Sequence, residues 1–361
     1  MSESTKNTGM LSIGLDVSDR KTHFHVLSPE GKSLRSGAIS TNPRRLRAFL
    51  SGFRPSRVAF EVGAHSPWME EISQDLGHET IVANPRRVKL ISQNTRKTDR
   101  ADALFLAQLA RVDPKLLAPI KHVSRQTRAD RALLEARDAL VRMRSSLVAH
   151  CRGVVKPFGV RLPSSSPESF PHKALGSVPE DLQPVLVPLL DLVGILNEFI
   201  KDFEREIEGV GKERYPQVEV LRQIHGVGLL TATAFVLKVE DPDRFPIGRK
   251  VASYFGLVPR LDQSGERNPQ LGITKTGDDL VRRLLVQAAH YILGPFGQDS
   301  DIRRYGEKIL RRGGVGAKKK AVIALARKLA VVMLHLMRTG EEYDPFYLAK
   351  KRRSKVTSKK K

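Results

Sequence analysis

Residues 13–27 carry the sequence IGLDVSDRKTHFHVL, and this stretch determines how the start of the chain folds. Its pattern predicts a buried strand, a tight turn at Ser18-Asp19-Arg20 and a second strand. The first strand carries a carboxylate, Asp16, among apolar residues. Removing a charge from water costs free energy unless a cation or hydrogen-bond donors compensate it. Asp16 therefore predicts a partner such as a metal ion, and the alternative is a strand-end residue that caps the turn.

The segment around this stretch continues as alternating strands and helices. The predicted elements are strands at 11–17, 22–28 and 33–40, a helix at 42–52, a strand at 57–62, a helix at 66–76, a strand at 79–83 and a helix at 98–111. The first three strands form a predicted antiparallel meander. The whole order predicts an α/β domain with a mixed sheet, which is the order of the ribonuclease-H-like folds.

Three further carboxylates follow apolar segments of this domain. Glu61 stands near the end of the fourth strand, and Asp99 and Asp102 stand three apart where Thr98 can cap the last helix. Since the first and fourth strands are neighbours in this fold, the four acids can converge at one end of the sheet. Such oxygen ligands suit Mg²⁺ or Mn²⁺, and two ions about 4 Å apart serve phosphodiester chemistry. A solvated helix start is the alternative for Asp99 and Asp102.

The composition predicts a polyanionic partner. Lys and Arg number 62 against 39 Asp and Glu, which leaves a net charge of +23. Nucleic acid is the expected partner, and an anionic membrane surface is the alternative. The sequence contains no apolar run long enough to span a bilayer, and the N-terminus lacks the apolar core of a signal peptide. We therefore expect a cytoplasmic protein that does not associate with a membrane. The single cysteine, Cys151, agrees with a reducing compartment.

The rest of the chain is predicted to be mainly helical. Apolar residues of 124–150 and 192–207 recur at spacings of three and four, which predicts coiled-coil helices with Met143 and Phe199 in their seams. The two helices can pair within the chain or between chains. The proline-rich insert between them, at about 160–190, is predicted to be a loop. The expected domains are 1–118 (α/β), 119–212 (coiled coil with the insert), 213–345 (all-α) and 346–361 (a basic, disordered tail).

A glycine turn near the start of the all-α region is a candidate contact for DNA. Residues 221–239 read LRQIHGVGLLTATAFVLKV, which predicts two helices joined by a turn at Gly226 and Gly228. In such a helix-hairpin-helix, backbone N–H groups at the turn can hold a phosphate. A tight turn between two packed helices is the alternative.

A serine in a polar loop is the candidate nucleophile. Ser264 stands near Arg260, Arg267 and Lys275, and basic side chains of this kind can stabilise the charge that develops when a hydroxyl attacks a phosphodiester. On residue chemistry alone, a serine without a catalytic role is the alternative.

These motifs together resemble those of insertion-sequence 110 family transposases. Asp16, Glu61, Asp99 and Asp102, with the run RKTDRAD at 96–102, resemble the DEDD set of the family's RuvC-like domain. The runs GLVPR, SG and LGITKTGD resemble its C-terminal transposase domain, especially in the 1111 subgroup. The family often has two serines before the glycine, whereas this chain has only Ser264, and the loop is about one residue longer.

The resemblance implies a DNA recombinase that cuts and rejoins strands through a phosphoserine at Ser264, assisted by metal at the DEDD set. It further implies donor and target DNA, a structured bridge RNA as guide, and a tetramer built from dimers in which another subunit can complete the site. The expected location is the bacterial cytoplasm, in association with the nucleoid. Two alternatives remain open: a metal-dependent, structure-selective DNA nuclease in which Ser264 is structural, and a nucleic-acid-binding protein without activity.

Overall fold

The computed structural model describes residues 9–85, 98–264, 269, 271–347 and 350. The chain divides into two compact units, residues 1–122 and residues 123–361. The tail predicted to be disordered lies mainly outside the described residues.

The first unit is built around a five-stranded mixed sheet, as the sequence predicts. Its strands are β1 Ser12–Val17, β2 Lys21–Leu27, β3 Ser33–Ser40, β4 Arg57–Glu61 and β5 Glu79–Ala83. The order across the sheet is β3-β2-β1-β4-β5, with β1, β2 and β3 antiparallel and β4 parallel to both β1 and β5. The predicted adjacency of the first and fourth strands is therefore confirmed.

Helices cover both faces of this sheet. They are α1 Pro43–Leu50, α2 Ser66–Asp75 and α3 Asp99–Val112. The side chains of α1 and α2 pack with Ile13, Leu15 and Phe60 in one apolar cluster. The other face carries small residues under α3, and a Cβ added to Gly14 would lie 2.0 Å from the carbonyl oxygen of Ala103. The missing side chain at Gly14 therefore allows α3 to approach β1 closely.

The second unit is helical. Its helices are α4 Arg125–Val154, α5 Phe170–Leu175, α6 Gln183–Arg214, α7 Gln217–Arg222, α8 Leu229–Val239, α9 Lys250–Tyr254, α10 Asp279–Leu293, α11 Asp301–Leu310 and α12 Ala317–Thr339. The apolar stripe of α12 is fully buried at Leu325, Leu329 and Met333, within a core formed largely by α8, α10 and α12.

The long helices α4 and α6 pack on each other, but the predicted seam residues Met143 and Phe199 are not buried within the chain, and pairing between chains stays a prediction. Met143 and Phe199 are each 53% exposed, whereas Asp130, Asp138 and Arg144 of α4 are buried. Heptad spacing places only apolar residues in the seam. It does not predict buried charged residues whose partners lie 50 or more residues away in the sequence. The guanidinium of Arg144, for example, donates a hydrogen bond of 2.8 Å to the side-chain oxygen of Asn197.

The proline-rich insert is more regular than predicted. It contains α5, and α6 begins at Gln183 and includes both Pro184 and Pro188. Pro184 stands in the first turn, where a backbone N–H has no partner within the helix. Pro188 removes only the hydrogen bond to the carbonyl of Pro184. The prediction that these two prolines lie in a loop was therefore wrong.

One helical segment meets the length and composition criteria for a membrane span. It is Glu180–Arg214, with a mean hydropathy of 1.4 over 18 residues, of which 33% are buried. A single such helix is weak evidence, because a core helix of a water-soluble protein meets the same criteria. The sequence analysis had found no apolar run of this kind.

Candidate active site

Asp16 lies on the face of the sheet that α3 covers. It stands two residues after Gly14, which contacts α3, and side chains alternate between the faces of a strand. Its partner in the antiparallel register is His23 of β2, so the two side chains share this face. The predicted mid-strand carboxylate therefore lies beside a histidine.

The first turn of α3 brings two more acids to this place. The Thr98 side chain accepts a hydrogen bond from the backbone N–H of Ala101 and caps the helix, as predicted. Asp99 and Asp102 both lie in that first turn, where the helix dipole favours negative charge. The close approach of α3 to β1 then places the helix start near Asp16.

Three residues of this region have ligand atoms close enough to share a metal ion. One atom each from Asp16, His23 and Asp99 lies within 4.8 Å of the others, and Nδ1 of His23 is 3.4 Å from Oδ2 of Asp99. The sequence predicts both acids as ligands and His23, like His25 and His65, at most as a contributor to phosphate or metal contacts. The available signal was the hairpin register, because the turn after Val17 pairs position 16 with position 23.

The electrostatics of Asp16 indicate a concentration of negative charge. Burial, followed by the carboxylates of Asp99, Asp102 and Glu61, raises the pKa of Asp16 to about 6, and the imidazole of His23 opposes the shift. Glu61, at the end of β4, and Asp102 therefore lie near enough to act on Asp16. A divalent cation would relieve this repulsion, and the oxygen-rich donor set fits Mg²⁺ or Mn²⁺.

The other two histidines of this region have protein partners. Nε2 of His65 lies 3.2 Å from a carboxylate oxygen of Asp19, and Nε2 of His25 lies 2.8 Å from the hydroxyl of Ser33. Neither belongs to the group of potential metal ligands among the described residues.

Ser264 lies in the second unit, in an exposed loop with an ordered base. The loop leaves the core after α9 and returns before α10. Its two sides are joined by hydrogen bonds of 2.9 Å from the N–H of Arg260 to the carbonyl of Gly272 and from that of Thr274 to the carbonyl of Val258. The base therefore restrains a segment whose outer part presents the serine to solvent.

Two glycines and an arginine fix the base of this loop. Gly256 and Gly277 have positive φ angles of 67° and 85°, and a Cβ at either would lie about 2 Å from backbone oxygen atoms. The buried guanidinium of Arg282 donates to the carbonyls of Phe255 and Thr276 at 3.3 and 3.4 Å. Arg282 thus connects both sides of the loop to α10, a role that the sequence analysis missed because carbonyl partners leave no trace in the sequence.

The basic residues predicted around the serine are accessible where the structure describes them. Arg260 and Lys275 are exposed, and Lys275 has a φ angle of 54°, which is uncommon for a residue with a side chain. Arg267 lies outside the described residues.

The two helices predicted on either side of the glycine turn are present as α7 and α8. Gly226 has a φ angle of 97° and packs against Ile292 and Tyr291, so it satisfies the demands of the turn. Gly228 is exposed at the N-terminus of α8, where no side chain caps the helix and nothing would contact an added Cβ. The backbone N–H groups of the first turn of α8 are therefore approachable at this point.

Comparisons with known proteins agree with this arrangement of two parts. Residues 13–158 match the DEDD transposase family of IS110 elements, described as "Transposase", and residues 218–307 match "Transposase IS116/IS110/IS902 family". The chain is also 30% identical over 277 residues to the transposase for insertion sequence element IS1111A of Coxiella burnetii, covering 74% of each chain. The chain belongs to the IS110 family of transposases.

A second relative extends this match. The transposase for insertion sequence element IS1328 of Yersinia enterocolitica is 30% identical over 284 residues, which cover 77% of this chain and 82% of the relative. This IS110 family member is therefore an enzyme that cleaves and recombines DNA. Membership in a DEDD family also indicates dependence on a divalent metal.

Proposed function

We propose that this transposase cuts and rejoins DNA through a covalent bond to Ser264, with divalent metal held by Asp16, Glu61, Asp99 and Asp102. The observation that carries the proposal is the convergence of ligand atoms at Asp16: atoms of Asp16, His23 and Asp99 lie within 4.8 Å of one another, and burial together with nearby carboxylates raises the pKa of Asp16 to about 6. When bound, Mg²⁺ or Mn²⁺ supplies charge stabilisation at the phosphate and at the leaving oxygen.

In the proposed reaction, Oγ of Ser264 attacks phosphorus and forms a phosphoserine ester. The bond between phosphorus and the oxygen of the adjoining nucleotide breaks. The serine hydroxyl gives up its proton as it attacks, and the departing oxygen takes up a proton. Rejoining reverses the exchange, because a DNA hydroxyl attacks the ester and Oγ leaves. Arg260, Lys275 and, outside the described residues, Arg267 hold the phosphate and offset its charge.

A trapping experiment tests this step. The protein is incubated with its DNA substrate and a divalent metal, and the products are separated under denaturing conditions. We expect a covalent protein–DNA species that Ser264→Ala abolishes and that Ser253→Ala, at an exposed serine of α9, retains. Free DNA ends produced equally well by Ser264→Ala would contradict the phosphoserine mechanism.

A second candidate function is a metal-dependent nuclease. It is favoured by one observation: all of the clustered carboxylates belong to the first unit, and the cluster forms without Ser264. The same trapping experiment distinguishes the two, because a nuclease leaves free ends and no adduct. If Asp16→Asn and Asp102→Asn change neither metal binding nor cleavage, these carboxylates do not form the metal-dependent cleavage site.

We further propose that donor and target DNA are selected by a structured guide RNA, the bridge RNA. The net charge of +23 and the exposed Gly228 at the N-terminus of α8 support binding to nucleic acid backbones. Sequencing of RNA that copurifies with the protein tests this proposal. A single defined RNA is expected, and a random sample of cellular RNA would contradict it.

The proposed assembly is a tetramer made of dimers, located in the bacterial cytoplasm and associated with the nucleoid. The support is an apolar stripe on α6, where Leu192, Ile195 and Phe199 are 39%, 53% and 53% exposed. Their spacing of three and four suits packing against a helix of another copy. We expect Ile195→Glu to reduce the mass measured by light scattering, whereas an unchanged mass would exclude this stripe as the interface.

A further inference from the structure

His23 is the one potential ligand in the cluster that is not a carboxylate. It faces Asp16 across the register of β1 and β2, and its Nδ1 lies 3.4 Å from Oδ2 of Asp99. Its side chain is 28% exposed and that of Asp99 is 65% exposed. An ion pair with this exposure contributes at most about 1 kcal/mol to stability, so the pair has little structural value.

The geometry suits inner-sphere coordination. Ligand atoms about 2.1 Å from one ion lie roughly 3 to 4 Å apart. The atoms of Asp16, His23 and Asp99 already lie within 4.8 Å of one another. These separations are close to those of atoms that share one ion.

The chemistry of an imidazole changes which ion is preferred. Oxygen ligands alone suit Mg²⁺, whereas a nitrogen ligand adds affinity for first-row transition ions and adds much less for Mg²⁺. We propose that Nδ1 of His23 directly ligates the ion held by Asp16 and Asp99, so that this position binds Mn²⁺ in preference to Mg²⁺. This inference rests on the proposed metal site and specifies one of its ligands and its selectivity.

Two variants separate ligation from a merely local contact. His23→Ala removes the ligand, and His23→Asp replaces nitrogen with oxygen at the same position. His65→Ala is the matched control, because His65 lies in the same unit and its imidazole contacts Asp19 outside the ligand group. Circular dichroism and thermal unfolding verify that each full-length variant is folded.

The first readout is spectroscopic and independent of activity. The full chain is loaded with one equivalent of Mn²⁺ and studied by pulsed electron paramagnetic resonance, which detects ¹⁴N nuclei bonded to the ion. We expect a ¹⁴N coupling in the wild type and in His65→Ala, and its loss in His23→Ala and His23→Asp. A wild-type spectrum without the coupling, or a coupling that persists in His23→Ala, would overturn the inference.

The second readout is selectivity. We expect His23→Ala to bind Mn²⁺ about tenfold more weakly than the wild type, the size typical of losing one group that supports a metal site. We also expect that Mg²⁺ displaces Mn²⁺ from His23→Asp at a concentration about tenfold lower than the one that displaces it from the wild type. Equal competition curves for wild type and His23→Asp would contradict the selectivity.

Failure of the inference and failure of the metal site give different results. If Asp16→Asn abolishes Mn²⁺ binding while the wild type lacks nitrogen coupling, the carboxylate site stands and His23 is not a ligand. If Mn²⁺ binds Asp16→Asn as tightly as the wild type, the proposed metal site itself is wrong, and the inference falls with it.

Discussion

Carboxylates withdrawn wholly or partly from water occur in both units, and their neighbours differ in charge. In the second unit, the side chain of Asp278 is 4% exposed and contacts the guanidinium of Arg131 and, at 3.7 Å, the ammonium of Lys238. Around Asp16 in the first unit, three other carboxylates act on the half-buried group. Burial is therefore compensated by cations at Asp278, whereas at Asp16 it is combined with like charge.

This difference separates structural from functional charge. A buried acid with cationic partners holds helices in place, and removal of the acid leaves those cations without compensation. An acid among other acids raises the free energy of the folded protein until a cation binds, which is typical of functional sites. The two kinds of site should therefore respond in opposite directions when their carboxylates are neutralised.

The largest expected effect is on DNA cleavage. Asp16→Asn and Asp99→Asn should each lower the rate of strand cleavage about a thousandfold, because each removes a ligand of the ion that stabilises the transition state. Gel assays under single-turnover conditions measure the rate. Asp75→Asn, at an exposed acid paired with Arg47, is the control and should retain wild-type activity. Comparable losses in all three variants would show a general defect.

The second effect concerns the compensated acid of the second unit. Asp278→Ala should lower the free energy of unfolding by about 3 kcal/mol, because it removes the buried carboxylate that pairs with both Arg131 and Lys238 and removes the N-cap of α10. Urea denaturation measures the change. The adjacent Asp279→Ala, whose side chain is 65% exposed, should cost at most about 1 kcal/mol. Equal losses would remove the distinction between buried and exposed pairs.

A third, intermediate effect is expected where α3 approaches the sheet. Gly14→Ala should cost about 2 kcal/mol and weaken Mn²⁺ binding, because its Cβ would overlap the carbonyl of Ala103 and displace the start of α3. Thermal unfolding and a Mn²⁺ titration measure the two losses. Gly63→Ala, where an added Cβ contacts nothing, is the control. Unchanged metal binding in Gly14→Ala would show that this close approach does not position the acids.

The smallest effect has the opposite sign. In EDTA at pH 7.5, Asp16→Asn should stabilise the protein by about 1 kcal/mol, since it removes a half-buried charge and solvent screening limits the gain. The folded pKa of about 6 exceeds the ordinary value of 3.8, so the penalty is complete above pH 6 and disappears as the pH falls towards 3.8. Thermal midpoints of both proteins across this range should converge on acidification. Destabilisation by Asp16→Asn at pH 7.5 would contradict the account.

The sequence predicted the first unit in detail because its signals are local. Alternation defined the strands, Thr98 marked the start of α3, and the order of elements placed the first and fourth strands together. His23 was predicted at most as a contributor to phosphate or metal contacts, although the short turn before it fixes its register with Asp16. That signal lies in the pairing of two strands and becomes visible only when the hairpin is laid out residue by residue.

The second unit was harder to predict because its decisive contacts are distant in sequence. Asp130 contacts Arg214 and Tyr215, and Asp138 contacts Arg283, so buried acids occupy positions outside the apolar pattern that the spacing indicates. Pro188 was taken as a helix breaker, and packing of α6 outweighs the single hydrogen bond that it removes. Similarly, the carbonyl groups that Arg282 contacts are brought together by the fold of the loop that carries Ser264. No sequence motif predicts these contacts.

The most direct test of the central claim is calorimetric titration of the full chain with Mn²⁺. The account predicts saturable binding by the wild type and by Asp75→Asn, and a loss of at least about tenfold in affinity in Asp16→Asn and in Asp99→Asn. Equal affinity in all four proteins would contradict the claim that these acids form a metal site.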